Sequence, residues 1–200
     1  MGNQSLPPKL ASLSGSEEIL PGVRILDFWS WALGDLRLNS TRGLLAQFLV
    51  AKAVGDKRRV DDGWGPYDVE SDDGLKIEVK SSGYLQSWSQ PKPSAITFQG
   101  LITKRWDPIN GYSPTKMVVA DVYVFAVHTC VISADYNPLD IAMWEFYAIP
   151  GSVIRKLDQG SMALSTVRKH AGNAVSWERL RETIVAKAQA SELEPEASSN

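Results

Sequence analysis

Residues 67–82, YDVESDDGLKIEVKSS, decide how this chain folds and where its chemistry would sit. Two runs of alternating residues flank Asp72-Asp73-Gly74. A glycine at the last position of a three-residue hairpin loop suits the left-handed conformation that such loops require. With those residues as the loop, Ser71 pairs with Leu75 and the rest of the register follows. Asp68 then stands directly opposite Glu78, within cross-strand contact distance. Side chains alternate faces along a strand, so Lys80 joins Glu78 on that face. Tyr67, Val69, Leu75, Ile77 and Val79 gather on the other face, which is apolar. A slip of one residue would part Asp68 from Glu78 and scramble the apolar face as well.

Two carboxylates this close can hold a hard divalent cation such as Mg²⁺ through oxygen ligands. A lysine two residues on can stabilise a developing anion or help position a nucleophilic water. That constellation suits metal-assisted phosphodiester cleavage. The competing reading is a solvated hairpin face of alternating Lys and Glu, of the kind expected of Glu70 opposite Lys76.

The chain has 200 residues, 44% hydrophobic and 22% charged, which suits one sizeable core and a single domain over residues 23–190. The net charge of −2 counts against nonspecific coating of nucleic acid and leaves room for a local basic cleft. The single Cys130 excludes an intramolecular disulfide and a cysteine-based zinc site; it reads as a core residue in a reducing compartment. No basic segment followed by an apolar run opens the chain. The longest apolar stretch, around residues 117–127, is too short for a bilayer and contains Asp121. A cytoplasmic protein without membrane partners is expected. No glycine-rich phosphate loop is present, so no nucleotide cofactor is expected.

Residues 1–22, rich in Ser, Gly and Pro, read as a loosely attached arm, and residues 191–200 as a disordered acidic tail. A short apolar helix is expected over 25–36. Asn39 and Ser40 can cap a second helix over about 41–54, which Gly55 ends. That helix is apolar on most sides and should be largely buried. Its Gln47 projects between Val50, Ala51 and Val54, away from Lys52 and Arg42. An inward amide is either a core group bonded to backbone or a group facing an active site. Residues 118–128, VVADVYVFAVH, read as a central strand with Asp121 as a cap or turn residue at its start. Residues 144–149 form another strand, stopped by Pro150. Helical turns are expected over 152–157 and 165–170, and Ser176 can cap a last helix to about Ala190. His128 and His170 lack metal-ligand spacing with any partner.

Residues 83–116 have weak periodicity and several prolines, and long irregular connections are often functional. This segment mixes aromatics with bases. Tyr84, Lys92, Lys104, Arg105 and Lys116 are its candidate nucleic-acid contacts. Trp88 and Phe98 are expected to pack the segment onto the core.

The order of a helix with Gln47, then Asp68, then Glu78-Val79-Lys80, then an apolar strand resembles the PD-(D/E)xK nuclease superfamily. That superfamily includes many restriction endonucleases, Holliday-junction resolvases and repair nucleases. Asp68 matches the motif aspartate, and Glu78-Val79-Lys80 matches the (D/E)xK tripeptide. Gln47 stands where many members carry a helix glutamate, and Tyr67 precedes Asp68, with Pro66 one position earlier. The resemblance implies an α/β, restriction-endonuclease-like core, a central mixed sheet flanked by helices. It implies a helix between the third and fourth strands, for which residues 130–143 leave little room. It implies that Asp68 and Glu78 ligate Mg²⁺, for which Mn²⁺ can substitute, with the Val79 carbonyl as a third ligand. Lys80 would stabilise the pentavalent phosphate or activate water, Gln47 would touch the metal or its water, and Ser82 would contact a phosphate.

The function so implied is a Mg²⁺-dependent endonuclease that hydrolyses DNA phosphodiester bonds by metal-activated water. Double-stranded DNA is the expected partner, and a homodimer would suit cleavage of both strands. The alternative is a catalytically weak nucleic-acid-binding protein on the same fold. Gln47 favours it, because an amide supplies no negative charge; retention of Asp68, Glu78 and Lys80 together favours cleavage. A further alternative is an unrelated α/β protein whose hairpin has a charged face open to solvent.

Overall fold

Val122–His128, VYVFAVH, is buried at all seven positions, a pattern that requires cover on both faces and neighbours on both edges. The computed structural model supplies both, and it describes residues 13–56, 65–107 and 111–192. In chain order the first elements are β1 (Glu18–Leu20), β2 (Val23–Arg24), α1 (Ile25–Leu33), α2 (Asn39–Val54), β3 (Val69–Glu70) and β4 (Lys76–Gly83). There follow β5 (Thr97–Gln99), β6 (Thr103–Asp107), β7 (Gly111–Met117), β8 (Val122–His128) and β9 (Trp144–Pro150). The chain continues through α3 (Gly151–Leu157), β10 (Ser161–Ala163), α4 (Leu164–Ala171) and α5 (Trp177–Glu192).

The central sheet is mixed, in the order β3-β4-β8-β9. β4 and β8 are parallel, with Ile77 opposite Val122 and Lys80 opposite Phe125; β3 and β9 close the two sides antiparallel. On one face, α2 and α5 cover Ile77, Val79, Val122 and Val124 with Ala46, Val50, Leu180 and Ile184. On the other, Tyr123, Phe125, Val127 and Ile149 pack under Phe98, Leu101, Ile154, Met162 and Val167. Each fully buried aliphatic or aromatic side chain contributes roughly 1.5–3 kcal/mol. The fold is therefore mixed α/β with a mixed central sheet, as expected. Among the described residues, no helix is long and apolar enough to cross a membrane.

Asp121 explains why the central strand starts at Val122 and not at Val118. Its carboxylate accepts the Lys76 N–H (2.9 Å), its own N–H donates to the Lys76 carbonyl (2.8 Å), and its carbonyl accepts the Gly151 N–H (2.7 Å). It is a turn residue. The same clamp demands glycine at 151, where a Cβ would lie 2.1 Å from the Ala120 carbonyl oxygen.

Several expectations are corrected. The second helix begins at Asn39 with Leu38 as its N-cap and no side-chain capping bond; the Asn39 side chain instead accepts from Arg42. Gly55 does end it, in the left-handed conformation. One side of that helix stays open, with Leu44 and Phe48 exposed. The first helix stops at Leu33 and buries none of its residues. It leans on the β1–β2 hairpin, whose neighbouring carbonyls at Gly15 and Glu17 accept the Leu26 and Ile25 N–H groups, and not on the sheet. Residues 83–116 are irregular only in part: 84–96 carry no strand or helix, whereas β5 pairs with β10, far along the chain, and β6 with β7. Two short 3₁₀ turns, Ser133–Asp135 and Ile141–Met143, join β8 to β9 in place of the implied helix. Cys130, past the end of β8, is half-buried and not a core residue.

Residues 1–12, 57–64, 108–110 and 193–200, and the side chains of Lys104, Arg105 and Lys116, lie outside those described.

Candidate functional site

The hairpin has the register that its alternation demands. Ser71 donates to Leu75 (3.0 Å), Gly74 has a φ of 90°, and Val69 pairs with Ile77; the ladder ends there, with Asp68 one residue beyond it and Tyr67 packed against the core of the opposite face. β3 is only two residues long, and Asp68 extends its work. The Asp68 N–H donates to the Ile77 carbonyl (3.1 Å), and the Asp68 carboxylate accepts the Val79 N–H (2.7 Å). That side chain replaces the next backbone acceptor of the ladder and is held beside β4. In a strand the N–H and C=O of one residue leave toward the same edge. The Val79 carbonyl therefore points to the edge that Asp68 occupies.

Glu78 and Lys80 lie on the opposite face from Val79. Lys80 Nζ donates to Glu78 Oε1 at 2.6 Å, with the two side chains 21% and 15% exposed. Glu78 pairs across the ladder with Tyr123, whose hydroxyl donates to the Leu101 carbonyl (2.8 Å). Burial, reinforced by the negative charges of Glu78 and Asp68, pushes the Tyr123 phenol well above its usual pKa. Both carboxylates thus act on one buried ring. This is a partly enclosed cluster, unlike a hairpin face open to solvent.

Gln47 reaches the same neighbourhood from α2. Gly43, Gln47, Val50 and Val54 form one stripe along that helix. A Cβ on Gly43 would lie 3.9 Å from Ser81 Oγ, and the Val54 carbonyl accepts the Asp72 N–H (3.2 Å). One turn beyond Gly43, about 6 Å, equals roughly two strand residues and brings Gln47 level with Val79. Its Oε1 is buried without a hydrogen-bond partner among the described residues. The carboxylates of Asp68 and Glu78 and the Val79 carbonyl are hard-oxygen donors of the kind Mg²⁺ takes, whereas Gln47 approaches from the α2 face, which is the Val79 face of β4. No group of three or more His, Cys, Asp or Glu side chains that could hold a metal occurs among the described residues. Mg²⁺ asks for fewer, being commonly bound through one or two carboxylates with water and substrate phosphate completing the shell.

Beyond Lys80 the free edge of β4 opens into a cavity of about 430 Å³, lined by Asn39, Arg42, Lys80, Ser82, Gln86 and Trp88 among others. Arg42 is 2% exposed. Its Nη1 donates to the carbonyls of Arg37 (3.0 Å) and Leu85 (3.3 Å), and its Nη2 to Asn39 Oδ1. Among the described residues it has no carboxylate partner, and burial lowers its pKa. Of the two residues from which Gln47 was expected to point away, Lys52 is exposed and Arg42 is buried. A readable signal existed: Arg42, Ala46 and Val50 share one helical stripe, and the last two are fully buried.

Of the candidate DNA contacts, Ser82 lines the cavity and is buried. Tyr84 is half-buried and packs against the second core, and Lys92 is exposed in the loop before β5. In the β6–β7 hairpin Lys104 stands opposite Lys116 along the backbone, with Arg105 next to it. Phe98 is in the core as expected; Trp88, expected there too, is 59% exposed at the cavity. His128 is buried, with Nε2 3.3 Å from the Asn137 carbonyl, and Arg168 pairs with Glu145 (3.2 Å).

No family model and no curated protein matches the chain.

Proposed function

We propose that this chain is a Mg²⁺-dependent deoxyribonuclease with a restriction-endonuclease-like core, acting on phosphodiester bonds at the Asp68–Glu78–Lys80 hairpin. The carrying observation is the hairpin itself: Asp68 tied to the Val79 N–H, and Lys80 held by Glu78 at 2.6 Å. The sheet order β3-β4-β8-β9 supports the fold reading; the 3₁₀ connection between β8 and β9 departs from it.

In this reading Asp68, Glu78 and the Val79 carbonyl would hold the cation, and Gln47 would contribute a contact to it or to its water. Bound Mg²⁺, or Mn²⁺ in its place, would supply Lewis-acid stabilisation of the phosphoryl oxygens and a water of lowered pKa. The chain's own part is positional and electrostatic. The Val79 N–H fixes the orientation of Asp68. Glu78 fixes the Lys80 ammonium at the mouth of the cavity, where it can neutralise charge growing on a phosphate. Double-stranded DNA is the substrate we favour. A homodimer would present two sites to two strands and would bury the apolar face of α1, where Trp31 is 84% exposed.

The test is incubation of supercoiled plasmid with Mg²⁺ or Mn²⁺, beside EDTA and Lys80→Ala controls. Metal-dependent nicking or linearisation that the substitution abolishes is the expected result. The second reading, a DNA-binding protein without cleavage, is favoured by Gln47. It predicts plasmid retention without cleavage in either metal, and Gln47→Glu would then restore cleavage if the missing charge is the cause.

A further inference from the structure

Most of the large apolar side chains that stand exposed among the described residues lie between Leu13 and Phe48. Two ridges dominate them. On α1, Phe28 and Trp31 are one turn apart with ring centroids 6.5 Å from each other, and Asp27 is next to them in the chain. On α2, Leu44 and Phe48 are one turn apart, and Lys52 Nζ lies over the Phe48 ring at 5.2 Å. Phe28, Leu44 and Phe48 are each about half exposed, and Trp31 is 84% exposed.

The first ridge does not cover the second, because the connection between the two helices is pinned. The Asp35 carbonyl accepts the Thr41 hydroxyl, the Leu36 carbonyl accepts the Tyr136 hydroxyl (3.2 Å), and the Arg37 carbonyl accepts Arg42 Nη1 (3.0 Å). These bonds fix the direction in which α1 leaves α2. Laying α1 on its own α2 would break them. The chain therefore presents α1 as an arm whose orientation is already set, which lowers the ordering cost of docking it.

We propose that a second copy of this chain covers both ridges, α1 of each copy lying along α2 of the other about a two-fold axis. Such an axis makes one contact twice, so a single partner buries both ridges. With aromatic side chains of about 150–250 Å², the four side chains would bury roughly 450 Å² of apolar surface per copy and about 900 Å² in all. At the usual apolar share of roughly 57%, this corresponds to an interface of about 1,600 Å², the standard size of a stable complex. A partner met through α1 alone would leave Leu44 and Phe48 in water. Charge agrees: Asp27 beside one ridge complements Lys52 beside the other. Glu18 and Asp27, both exposed on the arm, set it against an anionic lipid surface. The interface rests on the chain's own surface; its use, one site for each strand of a duplex, rests on the nuclease reading.

The experiment is sedimentation velocity of the full chain, which should show a species of twice the monomer mass at micromolar concentration. Trp31→Asp and Phe48→Asp should each weaken it about thirtyfold or more. Both side chains are more than half exposed, so these variants keep their cores, which urea unfolding checks. Mixing the two variants should restore dimers, because the mixed pair keeps one contact between intact ridges. A chain that is monomeric at every concentration overturns the proposal. So does a dimer that neither substitution weakens, or that only one weakens, which would be a helix against its own counterpart, or a mixture that stays monomeric. A monomer that co-sediments with phosphatidylcholine vesicles also overturns it and assigns the ridges to lipid. Failure of the two readings separates cleanly. A dimer that both substitutions weaken, without plasmid cleavage in either metal, sinks the nuclease and keeps the interface. Cleavage that Lys80→Ala stops, by a chain that stays monomeric, does the reverse.

Discussion

At its Lys76 end β4 is paired by the strand that precedes it in the hairpin; at its Gly83 end it is walled by segments drawn from residues 37 to 137. The first end needs only alternation and one tight turn, so its side chains are set by neighbours close in sequence. The second is assembled by Arg42, which ties the carbonyls of Arg37 and Leu85 together, and by His128, which faces Gly83 across the ladder and the Asn137 carbonyl through its ring. A carboxylate pair can thus be specified locally, whereas a cavity with a buried cation requires long-range packing. Perturbing the two ends should accordingly give different kinds of damage.

The largest effect is expected at the hairpin end. Asp68→Ala removes a proposed ligand and the acceptor of the Val79 N–H. Plasmid cleavage should fall about 10²–10³-fold, and amide exchange at Val79 should quicken. Unchanged exchange would show that the tie is not what orders this end. Ile77→Ala, beneath the same hairpin, should cost about 2–5 kcal/mol in urea unfolding, because Ile77 is fully buried against α2 and α5.

At the cavity end, Arg42→Lys keeps the charge but cannot reach three acceptors. A loss of about 1–3 kcal/mol in the same assay is expected, with the hairpin chemistry retained. A neutral outcome would mean that the guanidinium does not hold the cavity wall.

His128 gives a pH signature of that end. Burial depresses its folded pKa below the ordinary 6.5. The unfolded chain therefore binds more protons as pH falls through 6.5. Its contribution is complete above that pH and declines toward the folded pKa, with a slope of at most about 1.4 kcal/mol per pH unit. Unfolding midpoints compared at pH 7.5 and 5.5 should show this loss, and His128→Gln should flatten it. The smallest effect is expected for the stability of Trp88→Ala, within about 0.5 kcal/mol, since an exposed rim residue carries little of the fold.

Much of the hairpin end was legible. Alternation about Asp72-Asp73-Gly74 admits one register that keeps Val69, Ile77 and Val79 on one face, and the observed pairing has that register, but Tyr67, expected with them, packs against the core of the opposite face. The continuous apolar run of β8 announced a central strand, and Asp121 a turn. Gln47 was legible as inward, although its missing hydrogen-bond partner was not. The cavity end was legible in fragments. β5 is three residues long and pairs with β10 more than sixty positions away, so no local pattern marks it. Trp88 and Phe98 sit in the same segment, and apolarity alone cannot say which one faces the core.

The sequence by itself determined the hairpin register from Val69 to Ile77, the left-handed stop at Gly55 and the burial of β8. Each follows from backbone geometry acting over a few residues. Only the tertiary structure decided that Arg42 is buried, that Trp88 is exposed, that α1 packs on the β1–β2 hairpin, and that a polar cavity opens beside Lys80. Those outcomes depend on which distant surfaces meet, and the free energy of such meetings belongs to pairs of segments and not to either one.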